Sequence, residues 1–518
     1  MADYGGAMNR LTLRLSMAGI VAFGLMAPAP LGGQSANPPA ADPPPADRLH
    51  LLEQRIDRLT EALAAAERQV DEDHRNMQAM QAELGELRKA LADGGLSTAE
   101  QTNASAAATL QQAVTQIREE QDVIAAEVRQ HEQTKLESAS KFPVRFHGLV
   151  LFNAYVNEGV VDQPDMPTSA LLRASGQSHG SVGAGLRQTM LNFEGTGPVL
   201  WNGHLFADMS LDFFGGVTAG GLSAPAGLVR MRTAGITWAW THDLLRAGYD
   251  SPLISPLSPD SIAEVAQPAL AWSGNLWVWA PQLRWEHHIS LGKDRQSGFE
   301  FGLYDPIYNA LNTVEADSSV TPAEAARQPG YETRLFYRVG GEPGALQIGA
   351  AGYYDRKNYG SGQMVDAWAG AADWRLPVTA RGQWSGEFYR GRGIGSLGGG
   401  SYRDAYTYVD PDTGGTKTRG LDAVGGWTQG QWKFSQTMQL NVVAGQDTGY
   451  ASELREGTAQ YSSALDYYTR NRSLMANFIY RPWSSIVFSP EFRRLTSWPF
   501  YGRANWANVY TVSAGYQF

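Results

Sequence analysis

Arginines at alternating positions are the residues of this sequence most suited to acting on a ligand. Arg230 and Arg232 share one face of a candidate strand, and Arg334 and Arg338 share a face of another. If those faces border a narrow water-filled space, their guanidinium groups would attract anionic solutes. Further candidates for the same role are Arg284 and Arg145, with Arg187 and Arg375 as extensions of the set.

The alternative is that these arginines form ion pairs within the wall that carries them. Pairing would neutralise their field and leave them only a packing role. Ion pairs at surfaces contribute little, and the sequence does not reveal which side chains meet, so both interpretations stay open. The candidate partners are Asp208, Asp212, Glu286, Asp373 and Glu387.

Residue types typical of catalysis are present without the spacing that catalysis needs. The chain has no cysteine, which excludes thiolate nucleophiles, disulfides and cysteine zinc sites. His287 and His288 alternate faces in a strand and cannot easily hold one metal. The Gly-rich stretch 391–400 superficially resembles a phosphate-binding loop, but no helix follows it, and we interpret it as a mobile loop. We predict no enzymatic activity, no metal and no cofactor.

The overall composition favours a transmembrane barrel over a nucleic-acid-binding protein. A formal net charge of -10 and a pI near 5.5 provide no basic surface for phosphates. Aromatic residues make up 11% of the chain, glycine is abundant, and the mean hydropathy is only -0.31. Apolar and polar residues are therefore interleaved, as in strands that face lipid on one side and water on the other.

The N-terminal residues predict export. Two arginines precede the apolar run 15–27, which is too short for a permanent membrane helix. We expect an export signal over 1–36, cut either after 27–29 or near 35–36. A stiff Pro-rich linker follows over 37–47.

Residues 48–140 carry the heptad spacing of a coiled coil. Apolar residues recur at intervals of three and four from Leu49 to Leu91, with only Asp73 polar, and a weaker heptad pattern covers 110–131. Such a seam must be covered either by other copies of the chain or by a hairpin across the glycine pair between the two patterns. We predict a periplasmic coiled-coil stalk and favour self-association.

From residue 141 the period changes from helical to alternating. In the last run, Tyr510, Val512, Ala514, Tyr516 and Phe518 form an apolar row opposite a mostly small or polar one. About 16 such runs predict an all-β transmembrane barrel of antiparallel strands over 141–518. They cover 144–157, 184–196, 203–214, 228–240, 243–250, 281–291, 297–305, 331–340, 345–355, 365–376, 381–390, 421–433, 437–447, 471–482, 484–496 and 508–518.

The connections between these runs alternate in length. The odd ones are long, whereas the even ones are tight, at 241–242, 340–344, 377–380, 435–436 and 483. Outer-membrane barrels have this parity, with the short turns in the periplasm. A globular all-β protein has no reason to keep it.

The sequence resembles the DcaP-like trimeric outer-membrane porins, a family related to the phosphate-selective porins. The similarity is densest at LNFEG (191–195), LDFFGG (211–216) and VRMRTA (229–234). This resemblance implies a homotrimer in the outer membrane of a Gram-negative-type bacterium, a periplasmic coiled coil and an anion-favouring pore. Tyr516 and Phe518 resemble the C-terminal signal that barrel-assembly machinery recognises.

The long connection 251–280 is the candidate constriction. It is rich in proline and apolar residues, which indicates a packed segment rather than a solvated loop. We predict that it folds into the lumen. An ordered external cap or a trimer contact is the alternative.

Several aromatic residues stand near strand ends or on the outward rows. An interfacial belt explains them better than sugar stacking does. They are Trp238, Trp240, Trp368, Trp374, Trp384 and Tyr480.

Taken together, the sequence predicts a porin for passive diffusion of small hydrophilic, possibly anionic, solutes. Its expected partners are outer-membrane lipid, the assembly machinery, copies of itself and the solutes, and not nucleic acid. A structural, tethering or adhesive protein with a closed barrel is the alternative.

Overall fold

The computed structural model describes residues 143–216, 227–305, 320–340, 345–457 and 468–518. The predicted export signal, the linker and the stalk lie outside these residues and stay predictions. Among the described residues, no helix is long and apolar enough to cross a membrane.

Sixteen antiparallel strands close into a barrel, which confirms the predicted fold class for this part of the chain. Alternation of apolar and polar residues is typical of strands such as β4 and β19, because one face packs inward and the other faces outward. In chain order the strands of the structure are β1 (Val144–Glu158), β2 (Gly180–Gly185), β3 (Met190–Leu200), β4 (Gly203–Asp212), β5 (Arg230–Ala239), β6 (Asp243–Asp250), β7 (Ala280–Gly292), β8 (Arg295–Tyr304), β9 (Gly330–Val339), β10 (Leu346–Asn358), β11 (Met364–Pro377), β12 (Gly382–Arg392), β13 (Ala405–Val409), β14 (Thr416–Gly420), β15 (Asp422–Lys433), β16 (Met438–Gly449), β17 (Tyr468–Trp483), β18 (Ile486–Pro499) and β19 (Asn505–Gln517).

Strand β1 closes the barrel by pairing with both ends of the sheet. One edge pairs with β19, from Leu149 opposite Gln517 to Glu158 opposite Asn508. The other edge pairs with β2 and β3, which together form one barrel strand. Each remaining barrel strand pairs with its neighbours in chain order, and β13 and β14 form a separate hairpin within one long connection.

Two features depart from the predicted strands: the β13–β14 hairpin, which lies in the predicted connection 391–420, and the β2–β3 strand. The sequence predicts one continuous strand over 184–196, whereas the structure breaks it at 186–189. At the break, Thr189 accepts a hydrogen bond from the Leu151 amide at 3.1 Å, so a side chain replaces a ladder bond. Gln188 is released to bind a segment inside the barrel, described below.

Burial follows the predicted alternation. On β19, Val512 is 58% exposed, whereas its neighbour in the inward row, Val509, is 2% exposed. The outward face is therefore apolar and open, as a lipid-facing wall must be, and the inward face is packed.

The parity of the connections is also as predicted. Short turns join the strands at the end where β1 begins, which we call the turn end; the turn residues 341–344 lie outside the described residues. Long connections gather at the opposite end, the loop end. In the described residues they contain three short 3-10 helices (Glu324–Ala326, Gly395–Leu397 and Gly400–Tyr402) and helix α1 (Ala451–Glu456). Tyr406, Tyr408, Leu421 and Leu454 pack the β13–β14 hairpin against α1.

Candidate pore constriction

The connection between β6 and β7, residues 251–279, runs through the lumen along the inner wall. The Leu253 amide donates to Glu332 of β9 at 2.6 Å. The Leu257 amide donates to Glu387 of β12 at 2.7 Å. Both carboxylates project inward from the wall and are nearly fully buried. The prediction that this segment enters the lumen is confirmed.

The middle of the inserted segment continues along the wall to later strands. Asp260 donates its amide to Gln429 of β15 at 2.8 Å and accepts amide hydrogens from the same glutamine at 3.1 Å. The Ser261 hydroxyl donates to Glu491 of β18 at 2.6 Å. Polar side chains of the wall thus satisfy the backbone and polar groups of the segment, which an irregular segment in an enclosed space requires.

The far part of the inserted segment reaches the first strands of the barrel. Gln188, at the β2–β3 break, accepts the amide hydrogen of Val265 at 2.9 Å. Arg493 of β18 forms a buried ion pair with Glu264. The segment therefore touches the inner wall from β9 around to β2–β3 before it returns to β7.

Two other long connections pack against the inserted segment inside the barrel. Tyr402, from the β12–β13 connection, stacks on Trp272 with ring centroids 4.2 Å apart. The Tyr402 hydroxyl lies 2.8 Å from the hydroxyls of Thr168 and Ser169 in the β1–β2 connection. Three loops therefore meet at one tyrosine, around the tryptophans of the inserted segment.

The interpretation of the Gly-rich stretch 391–400 as a mobile loop is wrong. The residues from 395 to 400 are all buried, and the Leu397 carbonyl accepts the Trp277 amide hydrogen at 3.0 Å. Gly398 has φ 98°, and a Cβ there would lie 3.0 Å from the Trp277 ring. Glycine is used here for close approach and a left-handed backbone rather than for mobility.

Arg230 and Arg232 both point into the lumen and flank Trp279 of the inserted segment, at 5.5 Å and 5.2 Å from its ring centroid. Arg230 donates to both oxygens of Asp212, at 3.1 Å and 2.6 Å. Arg232 lies 3.7 Å from the same carboxylate. One carboxylate thus faces two guanidinium groups, which leaves this cluster with one net positive charge.

Arg284 belongs to a chain of charges that crosses β4, β6 and β7. It lies 3.1 Å from Asp250 and 3.3 Å from Glu286. Arg246, which the sequence analysis missed, lies 2.7 Å from Asp250 and 2.5 Å from Asp208. Arg246 occupies the inward row of β6, so the same alternation rule would have selected it. This cluster carries one net negative charge.

Arg334 is fully enclosed in ion pairs, whereas Arg338 is not. Arg334 lies 2.8 Å from Asp373 and 3.1 Å from Glu300. The pair with Asp373 crosses over β10 at Gly349, where a Cβ would lie 2.1 Å from the Asp373 carboxylate and 2.9 Å from the Arg334 guanidinium. Arg338 donates to the neutral Gln347 at 2.9 Å.

Of the remaining predicted cations, Arg187 lies beside the Arg230 cluster, because both guanidinium groups lie over the Phe214 ring, at 4.2 Å and 5.7 Å from its centroid, whereas Arg145 and Arg375 lie apart. Arg145 is exposed at the turn end, opposite Glu194 in the strand register. Arg187 lies 2.7 Å from Asp165 of the β1–β2 connection. Arg375 lines a polar cavity of about 260 Å³ beside Asp260 and Lys433. The structure therefore does not bring all the predicted arginines to one place.

The predicted ion pairing is found for four of the five candidate acids. Asp208, Asp212, Glu286 and Asp373 all pair with inward arginines. Glu387 does not: it accepts from the Leu257 amide, from the Ser255 hydroxyl and from the Trp427 indole at 3.2 Å. Its role is to hold the inserted segment.

Solvent reaches the inner wall unevenly. Asp208, on β4, is 36% exposed, whereas Asn441 of β16 and Ser513 of β19 are fully buried. Inward charged side chains of β4, β5 and β7, such as Asp208, Arg230 and Arg284, are partly exposed, whereas the inward row of β8 from Gly298 to Tyr304 is buried.

The outward face carries aromatic side chains at both ends of the barrel. Trp238 stacks between Trp201 and Trp240, with ring centroids 4.6 Å and 4.8 Å apart. Trp368 and Trp384 are also outward and partly exposed. This placement suits the predicted interfacial belt. His287 and His288 bind acids on opposite faces of β7, Asp243 outside and Glu286 inside.

No protein-family model matches the chain, and no curated protein matches it. Among solved structures, the outer membrane channel DcaP of Acinetobacter baumannii is similar, with 17% sequence identity and a TM-score of 0.55. The match covers 73% of this chain and 99% of that one. The chain has a porin fold. The resemblance to DcaP-like porins is therefore confirmed at the level of the fold.

Other porins match with lower scores. The anion-selective porin of Comamonas acidovorans has 11% identity and a TM-score of 0.43, over 73% of this chain and 100% of that one. The trimer form of OmpT of Vibrio cholerae has 9% identity and a TM-score of 0.41, over 73% of this chain and 100% of that one.

Proposed function

We propose that the chain is an outer-membrane porin through which small hydrophilic solutes diffuse passively, without an enzymatic step. Its turn end faces the periplasm and its loop end faces the exterior, because long loops mark the outer side of such barrels. The observation that carries the proposal is the hydrogen-bonded segment 251–279 inside the barrel, beside partly exposed inward charges on β4, β5 and β7.

The charge selectivity that we propose is modest. A solute entering from the loop end meets the net positive cluster of Arg230, Arg232 and Asp212 first. It then passes the net negative chain around Arg284. Clusters of opposite sign in series attract small anions at the entrance without a strong overall preference.

A closed barrel with a structural, tethering or adhesive role is the second candidate. The packing of three loops around Tyr402 favours it, because tightly packed aromatic residues leave little room for solutes. Conductance in planar bilayers separates the two candidates. Steady current through the inserted full chain would support the porin, whereas folded and inserted protein without current would leave the closed barrel.

We also propose that the chain forms a homotrimer through its heptad segment, with the stalk in the periplasm. The apolar seam between Leu49 and Leu91 supports this, since a lone helix would expose it to water. Sedimentation of the full chain in detergent tests the proposal: a trimer is expected, and a monomer would indicate a hairpin stalk.

A further inference from the structure

Five arginines stand on the outer surface of the barrel near the loop end, and the proposed pore does not use them. All lie on outward rows of β12, β17 and β18. We call them the arginine band: Arg390, Arg392, Arg470, Arg472 and Arg494.

The strand register places Arg390 and Arg470 on one row, Arg472 two residues and Arg494, which is opposite Leu474, four residues closer to the turn end. Arg390 is opposite Val424, which is opposite Thr448, which is opposite Arg470, which is opposite Trp498. Strands are spaced about 4.8 Å apart, so Arg390 and Arg470 stand about 14 Å apart along this row. Neighbours on one strand, such as Arg470 and Arg472, stand about 7 Å apart.

Most of the positive charge of the band is not neutralised. Asp422 pairs with Arg390 at 3.3 Å and Arg392 at 2.7 Å. Among the residues that the structure describes, Arg470, Arg472 and Arg494 form no ion pair with a carboxylate.

The three unneutralised arginines have few polar partners. Arg472 donates to Gln446 at 2.7 Å, and Arg494 donates to Asn508 at 3.2 Å. The Nε of Arg470 is buried without any hydrogen-bond partner. Glu453 of α1 accepts the Asp422 amide hydrogen at 2.8 Å, and the outward Glu158 accepts from Asn508, so five cations stand beside three carboxylates. The surface carries a net charge of +2.

Aromatic rings fix the height of the arginine band on the barrel. Arg470 and Arg472 lie 5.5 Å and 5.1 Å from the ring centroid of Trp498. Arg494 lies 4.9 Å from that of Trp506. Towards the turn end, the next outward residues on these strands include the exposed Leu474 and Phe492. Tryptophan marks the boundary between hydrocarbon and headgroups, so the band lies at headgroup level.

The arginine band occupies only one sector of the circumference. Arg356 of β10 is outward as well, but Asp366 binds it through both carboxylate oxygens, at 2.7 Å and 3.1 Å. On β4, β5 and β7, the outward residues near the loop end are Leu211, Met231 and Leu283. A general need for solubility would not concentrate unpaired arginines on one side.

We infer that the arginine band binds the phosphate groups of an anionic glycolipid of the outer leaflet, namely the diphosphorylated lipid A part of lipopolysaccharide. Guanidinium groups bind phosphate oxygens in pairs, and such bonds are stronger beside an apolar surface. Acyl chains would lie on the apolar wall closer to the turn end, around Phe492 and Tyr510. The inference rests on the orientation given by the proposed function, with the loop end outside.

Binding of diphosphoryl lipid A to the full chain in detergent, measured by native mass spectrometry and titration, tests this inference. We expect R470Q/R472Q/R494Q to bind at least about tenfold more weakly than the wild type, because each cation at an anionic surface contributes a factor of about five. R356Q is the matched control and should bind like the wild type, since its arginine is already neutralised by Asp366. If the triple variant does not fold, R472Q alone should still bind about fivefold more weakly.

Three results would overturn the inference. They are wild-type binding by the triple variant, equal binding of dephosphorylated lipid A, and displacement of the glycolipid by millimolar inorganic phosphate, which would indicate a general anion site. Conductance is recorded on the same samples. A triple variant that conducts normally but keeps the glycolipid refutes only this inference, whereas protein that binds the glycolipid but never conducts refutes only the porin.

Discussion

Asp212 accepts hydrogen bonds from Arg230 and lies 3.7 Å from Arg232, so one buried carboxylate faces two guanidinium groups. Asp250 is shared in the same way between Arg246 and Arg284. Because carboxylates and arginines are shared, the local field depends on the charge count of each cluster and not on whether any one arginine is paired. The two interpretations of the arginines, free or neutralised, are thus both partly right.

We expect R230Q/R232Q to lower the permeability of anions relative to cations by about twofold, because the net charge of the cluster changes from positive to negative. The reversal potential across a KCl gradient measures this, and the change should shrink at high salt as screening increases. The D212N variant should shift the potential in the opposite direction. Identical potentials for wild type and both variants at low salt would mean that solutes do not pass this cluster.

A second expectation at this scale concerns Gly349, over which Arg334 reaches Asp373. We expect Gly349→Ala to destabilise the barrel by about 3 kcal/mol, because the added methyl group separates a buried ion pair. Unfolding in urea measures the loss. Gly370→Ala is the matched control, since nothing lies within 4 Å of a Cβ there. Equal stability of the two variants would show that the pair tolerates separation.

The partners of the arginines could not be predicted from the sequence, although their orientation could. Alternation assigns Arg334 to the inward face, but Asp373 lies two strands away, on β11. To predict that pair, one must know the register of three strands and that Gly349 has no side chain in the way. Neither produces a recognisable pattern in the local sequence. Arg246 is different, because the rule used for Arg284 applied to it equally well.

At the scale of elements, the strands were predictable because their side chains alternate between two faces. The parity of the connections was predictable because long and short connections alternate along the sequence. The break between β2 and β3 was not, because its cause lies far along the chain. Gln188 lies between the two strands, and its side-chain oxygen accepts the amide hydrogens of Val265 and Ala266 in the inserted segment. The buried stretch 391–400 was misread for the same reason, since its glycines fit against Trp277.

The inserted segment should loosen when one of its anchors is removed. In Glu387→Ala, the Leu257 amide and the Ser255 hydroxyl lose their acceptor, each at a cost of about 1–3 kcal/mol. We expect larger and noisier single-channel currents from a barrel that still folds. Glu158→Ala, which removes an outward carboxylate, should conduct like the wild type. Unchanged current noise in Glu387→Ala would contradict a constricting role for the segment.

At the scale of the whole molecule, the C-terminal residue completes the seam of the barrel. The Phe518 amide donates to the Gly148 carbonyl at 3.1 Å, and the Gly148 amide donates back at 3.0 Å. Its ring packs against Phe146 and Tyr516, with centroids 5.4 Å and 6.5 Å away. The outward aromatic row that the sequence predicts therefore ends on the first strand.

We expect deletion of Phe518, or its replacement by a charged residue, to reduce the amount of barrel in the outer membrane far more than the conductance of the molecules that do assemble. The reason is that Tyr516 and Phe518 would present the signal for the assembly machinery as well as the last contacts with β1. Quantifying protein in isolated outer membranes, with bilayer recording of the purified fraction, measures both effects. Normal membrane levels of the deletion variant would refute the expectation.

The route of the segment 251–279 also sets the order in which the molecule can be built. Its polar groups are satisfied by Gln188 near the first strands and by Glu491 near the last ones. Those partners come together only after β1 and β19 have met, and until then the segment holds several backbone groups that no partner satisfies. The segment can therefore reach its final position only after β1 and β19 have paired. A barrel in which the constriction has formed is one whose closure is complete.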